Sequence, residues 1–96
     1  MYATTRRYEG VTDSREAGRL VKEDFVPLMA QIKGFVAYCW VDAGGGVMIS
    51  TGIFQDKGGA EESNRRAADF AKKNMGHLLP NPPQVTAGEV AAYKAA

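Results

Sequence analysis

Gly34-Phe35-Val36-Ala37-Tyr38-Cys39-Trp40-Val41-Asp42, then Ala43-Gly44-Gly45-Gly46, then Val47-Met48-Ile49-Ser50-Thr51-Gly52-Ile53-Phe54: this stretch decides the fold. Both arms are rich in β-branched and aromatic residues, which fit a pleated, half-buried surface. The glycine cluster between them supplies the positive φ angles that a hairpin turn requires. The reading is an antiparallel hairpin. A four-residue turn at 43–46 pairs Asp42 with Val47. That register predicts one face carrying Phe35, Ala37, Cys39, Val41, Met48, Ser50, Gly52 and Phe54. The opposite face then carries Val36, Tyr38, Trp40, Val47, Ile49, Thr51 and Ile53.

Working outward, Tyr2, Thr4, Arg6 and Tyr8 alternate with Ala3, Thr5 and Arg7, the period of a first strand. Strand alternation turns either Arg6 or Arg7 inward, and an inward arginine needs a carboxylate or a ligand anion. Asp13-Ser14-Arg15-Glu16 has capping-box spacing. From that cap, Ala17, Leu20, Val21, Phe25, Leu28, Met29 and Ile32 form one helical stripe. Pro27 lies inside it and predicts a kink at 23–25; Gly34 ends the helix. Beyond Phe54, residues 55–59 read as a loop. A second helix over 60–74 carries Ala60, Ser63, Ala67, Ala68, Ala71, Met75 and Leu78 on its small or apolar side. Leu79-Pro80-Asn81-Pro82-Pro83 is a stiff connector. Residues 84–93 return to strand character, with Gly88 a candidate bulge.

The order β-α-β-β-α-β with right-handed crossovers predicts a single α+β domain over 1–96. It is ferredoxin-like: a four-stranded antiparallel sheet with both helices on one face. Two helices cover one sheet face, yet both faces of the hairpin are too apolar for water. A second sheet is the economical cover, so a homodimer is expected, with Tyr38, Trp40, Ile49 and Thr51 in its interface.

The 96 residues suffice for one modest core, and 45% apolar with 24% charged residues is ordinary for a globular chain. A net charge of +1 with no block of like charge gives no case for nucleic acid or an anionic membrane as partner. No apolar run reaches the ~18 residues of a membrane span. Residues 1–7 lack a signal-peptide core. One cysteine makes no internal disulfide, and the expected compartment is the cytosol. His77 is the single histidine and Cys39 has no metal-ligand spacing to it, so no metal site and no cofactor is expected. Residues 44–46 are no phosphate loop, because a strand follows them and no lysine does.

Lys33-Gly34-Phe35-Val36-Ala37-Tyr38, the strand Val47–Phe54, and Phe54-Gln55-Asp56 leading into Gly59-Ala60-Glu61-Glu62-Ser63 resemble the dimeric α+β barrel superfamily, nearest to antibiotic-biosynthesis-monooxygenase-like domains. The resemblance spans nearly the whole chain and marks fold more than chemistry. It implies two sheets packed face to face, with the helices outside. Members include cofactor-independent quinone-forming monooxygenases, haem-degrading enzymes, lactone isomerases and ligand-sensing domains. Family enzymes often carry Trp at the position of Phe54 and His at that of Ser63. The haem-degrading branch uses Asn on the first strand, Trp on the third and His late in the second helix; here only His77 fits.

The small residues Ala37, Cys39, Ser50 and Gly52 cluster at the centre of the hairpin. They either admit the helices closely or border an apolar cavity for a flat hydrophobic ligand. Phe35, Cys39, Ser50, Phe54 and Ser63 are the ligand-site candidates. Three readings stay open: a dimer binding a flat hydrophobic small molecule, a cofactor-independent monooxygenase or isomerase acting on an aromatic or polyketide-like substrate, and a structural or ligand-sensing dimer.

Overall fold

The computed structural model describes residues 1–96. Strand β1 (Tyr2–Tyr8) is followed by a bent helix built of α1 (Ser14–Leu20), a π-helical segment Val21–Phe25, and α2 (Val26–Ala30). The hairpin β2 (Phe35–Gly44) and β3 (Val47–Phe54) comes next, then the long helix α3 (Lys57–Asn74) and strand β4 (Gln84–Glu89). The sheet order is β2-β3-β1-β4, antiparallel throughout, which is the ferredoxin-like arrangement.

Local chemistry accounts for the helix ends. Asp13 Oδ1 accepts the Glu16 backbone N–H at 3.1 Å, half of the expected capping box. The Glu16 side chain takes Arg19 instead of reaching back. The bend falls where Pro27 removes the N–H that would bond to residue 23, so the turn before it widens to a π segment. Helix α3 starts earlier than the sequence suggests. Asp56 caps it, accepting the Gly59 N–H at 2.9 Å, and residues 57–59 are helical, not loop. Strand β4 ends at Glu89, short of residue 93, and Gly88 pairs regularly with Ala3 without a bulge.

The register of the hairpin differs from the expected one. Gly44 pairs with Val47, and a shift between Asp42 and Gly44 sets Asp42 opposite Met48. The Asp42 carboxylate accepts the Gly44 N–H at 3.0 Å and holds this turn, with Gly44, Gly45 and Gly46 all at positive φ. One residue of slip moves the β2 side chains from Ala37 to Asp42 to the other face, while a second shift between Phe35 and Ala37 leaves Phe35 opposite Phe54 on the expected inner side. Trp40 therefore lies opposite Ser50 and Tyr38 opposite Gly52, both toward the helices, while Cys39 and Val41 face away. The assignment of Tyr38 and Trp40 to the outer face, and of Ala37, Cys39 and Val41 to the inner one, is corrected accordingly. On β3 the expected faces hold: Met48, Ser50, Gly52 and Phe54 are buried, and Val47, Ile49, Thr51 and Ile53 alternate with them.

The core lies between the sheet and the helices. Val21, Phe25 and Met29 from the bent helix meet Ala60, Ala67 and Met75, with Tyr8, Met48 and Phe54 from the sheet. Phe25 packs edge-on against Tyr38 at 5.6 Å and at a tilt against Phe70 at 5.2 Å, and Tyr8 lies 5.5 Å from Trp40. The far face of the sheet carries Ala3, Thr5, Arg7, Ala37, Cys39, Val41, Ile49, Thr51 and Ile53, with no helix over it. No helix is long and apolar enough to cross a membrane.

Candidate ligand site

The inward rows of the sheet carry an unusual polar group. Thr4, Arg6 and Tyr8 alternate inward on β1, and the register sets Arg6 between Ser50 on β3 and Val85 on β4. Arg6 is 2% exposed. Its Nη2 donates to Ser50 Oγ at 2.7 Å, and its Nη1 donates to Asn64 Oδ1 on α3 at 2.8 Å. Thr4 donates to the same Asn64 oxygen at 3.1 Å, and the Tyr38 hydroxyl shares a 2.7 Å hydrogen bond with Ser50 Oγ. The guanidinium carbon lies 5.7 Å from the centre of the Phe25 ring. No carboxylate pairs with Arg6: every ion pair of the protein lies elsewhere, on the surface.

Burial dominates the titration of the two neighbouring phenols. Tyr38 is pushed up to about 12, with Ser50 and the Arg6 charge opposing only part of that. Tyr8 is likewise raised by burial, against a lowering from Arg6. Both are neutral hydroxyls near neutral pH. The cluster thus presents one buried cation, two phenols, a serine and an asparagine, with no group poised as a carboxylate or imidazole base.

A cavity of about 290 Å³ opens beside this cluster, between α3, β1 and the connector to β4. Arg6, Tyr8 and Asn64 form its floor, Ala68 and Ala71 its helical wall, and Leu79, Pro82 and Val85 its outer wall. Lys72 is the second cation on its lining, and no acidic residue borders it. A void of about 10 Å³ continues inward from it, sharing Arg6, Tyr8, Ala71 and Leu79 and reaching Phe25, Phe70 and Trp40. A wider groove of about 440 Å³ between α1 and β2 is bordered by the exposed Arg15, Lys22 and Asp42 and is a surface feature.

The residues expected at a ligand site divide. Ser50 belongs to the polar cluster through Arg6 and Tyr38. Phe54 is fully buried, packs edge-on to Phe35 at 6.0 Å, and does not border the cavity. Ser63 is buried and donates to the Ala60 carbonyl within its own helix. Cys39 is exposed on the opposite face of the sheet, which removes it from any site beneath the helices. Of the two alternatives for the small residues, close packing and a cavity, Gly52 takes the first, since a Cβ there would stand 2.9 Å from the Phe54 ring. Asn64 is a member of the cluster that the residue pattern did not mark; the readable signal is an amide beside the small stripe Ala60, Ser63, Ala67 and Ala71 of α3. No group of three or more His, Cys, Asp or Glu side chains is placed to hold a metal ion.

The chain shares its fold with antibiotic-biosynthesis-monooxygenase-like proteins and with several proteins of unknown function. A protein of unknown function from Nitrosomonas europaea superposes with a TM-score of 0.76 at 22% identity, over 99% of this chain and 93% of that one. A monooxygenase from Streptomyces coelicolor in complex with nanaomycin D gives 0.75 at 10% identity, over 99% and 91%. The cofactor-independent oxygenase SnoaB from Streptomyces nogalater gives 0.70 at 10% identity, over 96% and 94%. No protein-family model and no curated protein matches the chain.

Proposed function

We propose that this protein binds a flat hydrophobic small molecule between α3 and the sheet, with Ala68, Ala71, Leu79 and Val85 as walls and the Arg6 cluster as floor. One observation carries this reading: an open cavity of about 290 Å³, mostly apolar, that ends on a buried polar group. That combination of an apolar wall with few convergent polar groups is the ordinary character of a small-molecule site, at the lower end of the size range. Trp40 borders the inner void and reports occupancy. Titration with naphthalene-ring probes is expected to change its fluorescence. Ala71→Phe, which fills the space, is expected to abolish the response while leaving the thermal transition in place. A response unchanged in Ala71→Phe places binding elsewhere.

The protein acts as a homodimer in this reading, sheet against sheet, through Ile49, Thr51, Ile53 and their neighbours on the uncovered apolar face. A face with this many uncovered apolar residues is unfavourable in water, and the one arginine beside Ile49, Arg7, is paired with Glu9. Sedimentation at micromolar concentration is expected to give a dimer, and Ile49→Asp a monomer. The absence of a disulfide partner for Cys39 agrees with a cytosolic location.

A second reading, cofactor-independent monooxygenation of an aromatic or polyketide-like substrate, is favoured by the fold shared with the nanaomycin D-bound monooxygenase. Such a reaction turns a ring methylene and O₂ into a ring carbonyl and water, all electrons coming from the substrate. It needs chiefly a dry apolar pocket and a donor for the developing oxyanion, the place Arg6 occupies. Oxygen uptake over a panel of hydroquinones and anthrones, lost in Tyr38→Phe or Ser50→Ala, is the supporting result. No uptake over the panel removes this reading and leaves the binding one.

A further inference from the structure

We propose that the ligand of this cavity is an organic anion, a flat hydrophobic molecule whose single oxyanion serves as counter-ion to Arg6. The inference rests on the binding reading above and names the charge of what is bound.

A guanidinium withdrawn from water is strongly disfavoured unless its charge is compensated and its donors are used. In this protein Arg6 is 2% exposed and has no carboxylate partner. Two of its donors go to neutral oxygens of Ser50 and Asn64, and its Nε–H has no acceptor. The only other buried side-chain polar atom without a partner is Trp40 Nε1, and Trp40 and Arg6 border the same inner void. Both orphaned donors belong to residues that border that space, and each is left without an acceptor. The charge around the adjoining cavity of about 290 Å³ has a single sign, since Arg6 and Lys72 line it and no acidic residue does. A neutral ligand would satisfy the donors and leave the cation uncompensated. A carboxylate or phenolate oxygen does both, and the apolar walls accept the rest of a flat ring.

Paired probes of equal shape separate the charge from the ring. Naphthoate is expected to bind the wild-type protein ~30-fold more tightly than naphthamide, the scale of one charge-assisted hydrogen bond in a dry site. Arg6→Met is expected to remove that preference, so that naphthoate binds no more tightly than naphthamide. Lys72→Met, at the exposed rim, is expected to weaken naphthoate by only about threefold or less. Equal affinity of the two probes for wild type overturns the inference and leaves the binding site standing, as does a preference that survives in Arg6→Met. Acetate competing as well as naphthoate marks an adventitious ion only and overturns it too. Should neither naphthalene probe bind, the binding reading and the inference fall together. The wild-type ratio decides the matter alone if Arg6→Met does not fold.

Discussion

The layer between the helices and the sheet has two unlike ends. At the Phe54 end it is closed. Gly59 lets the first turn of α3 descend onto Phe54, where an added Cβ would stand 2.9 Å from the Phe54 Cβ. Gly52 clears room for the same ring beneath it. At the Arg6 end the layer is open. The helix presents Asn64, Ala68 and Ala71, and the chain then leaves through a proline-rich connector that stands off the sheet. Both ends are built from small residues on α3, so residue size alone does not decide between packing and a cavity. The neighbour decides. Where a phenylalanine fills the space the small residues become contacts, and where an arginine and a stiff connector face them they become walls.

The largest test of that contrast is steric. Phe54→Ala is expected to cost about 4 kcal/mol, a buried aromatic removed from a site that collapses poorly. Gly59→Val is expected to cost about 3 kcal/mol by overpacking against Phe54. Ala71→Leu, its counterpart at the open end, is expected to stay within about 0.5 kcal/mol, because there is space to receive it. Chemical denaturation measures all three, and an equal cost at both ends would remove the distinction.

A test of intermediate size concerns Tyr38, which links the two ends through Ser50. Its folded pKa lies near 12 against 10.0 for the ordinary phenol. Burial thus favours the neutral folded form, and the associated stability is fully present below pH 10. Between pH 10 and 12 the unfolded chain ionises this phenol and the folded chain does not. Stability therefore falls with rising pH at about 1.4 kcal/mol per unit for this group. Tyr38→Phe is expected to flatten the decline measured by denaturation across that window. An unchanged slope would mean that Tyr38 is more solvated than its packing indicates.

The smallest effect is the most specific to the open end. In the absence of ligand, Arg6→Met is expected to stabilise the protein by about 1 kcal/mol, raising Tm by ~4 °C. Ser50 keeps Tyr38 and Asn64 keeps Thr4 when the guanidinium is gone. A lowered Tm would assign Arg6 to the architecture instead of to a ligand.

Most of the element order was readable from residue patterns. The helical stripe from Ala17 to Ile32, the Asp13 cap and the bend before Pro27 follow from local spacing and from a missing N–H, and neither depends on distant parts of the chain. The alternation on β1 already required one arginine inward and noted what such an arginine needs. What local pattern left undetermined was the register of the hairpin, because period-2 alternation is equally regular in either phase. One hydrogen bond from the Gly44 N–H to the Asp42 carboxylate, in a turn of three positive-φ glycines, moved Tyr38 and Trp40 inward and Cys39 outward.

By itself, then, the sequence determined the ferredoxin-like order of elements, the helix boundaries to within a turn, and the apolar character of both sheet faces. The tertiary structure alone decided which β2 residues reach the core, that Arg6 and not Arg7 is the inward arginine, and that the cavity lies beside Arg6 and not beside Phe54. The physical reason is the range of the interactions. Capping, kinks and periodicity act within about four residues, whereas Arg6 meets Ser50 and Asn64 across 44 and 58 residues of chain, and only the packed sheet and helix bring them together.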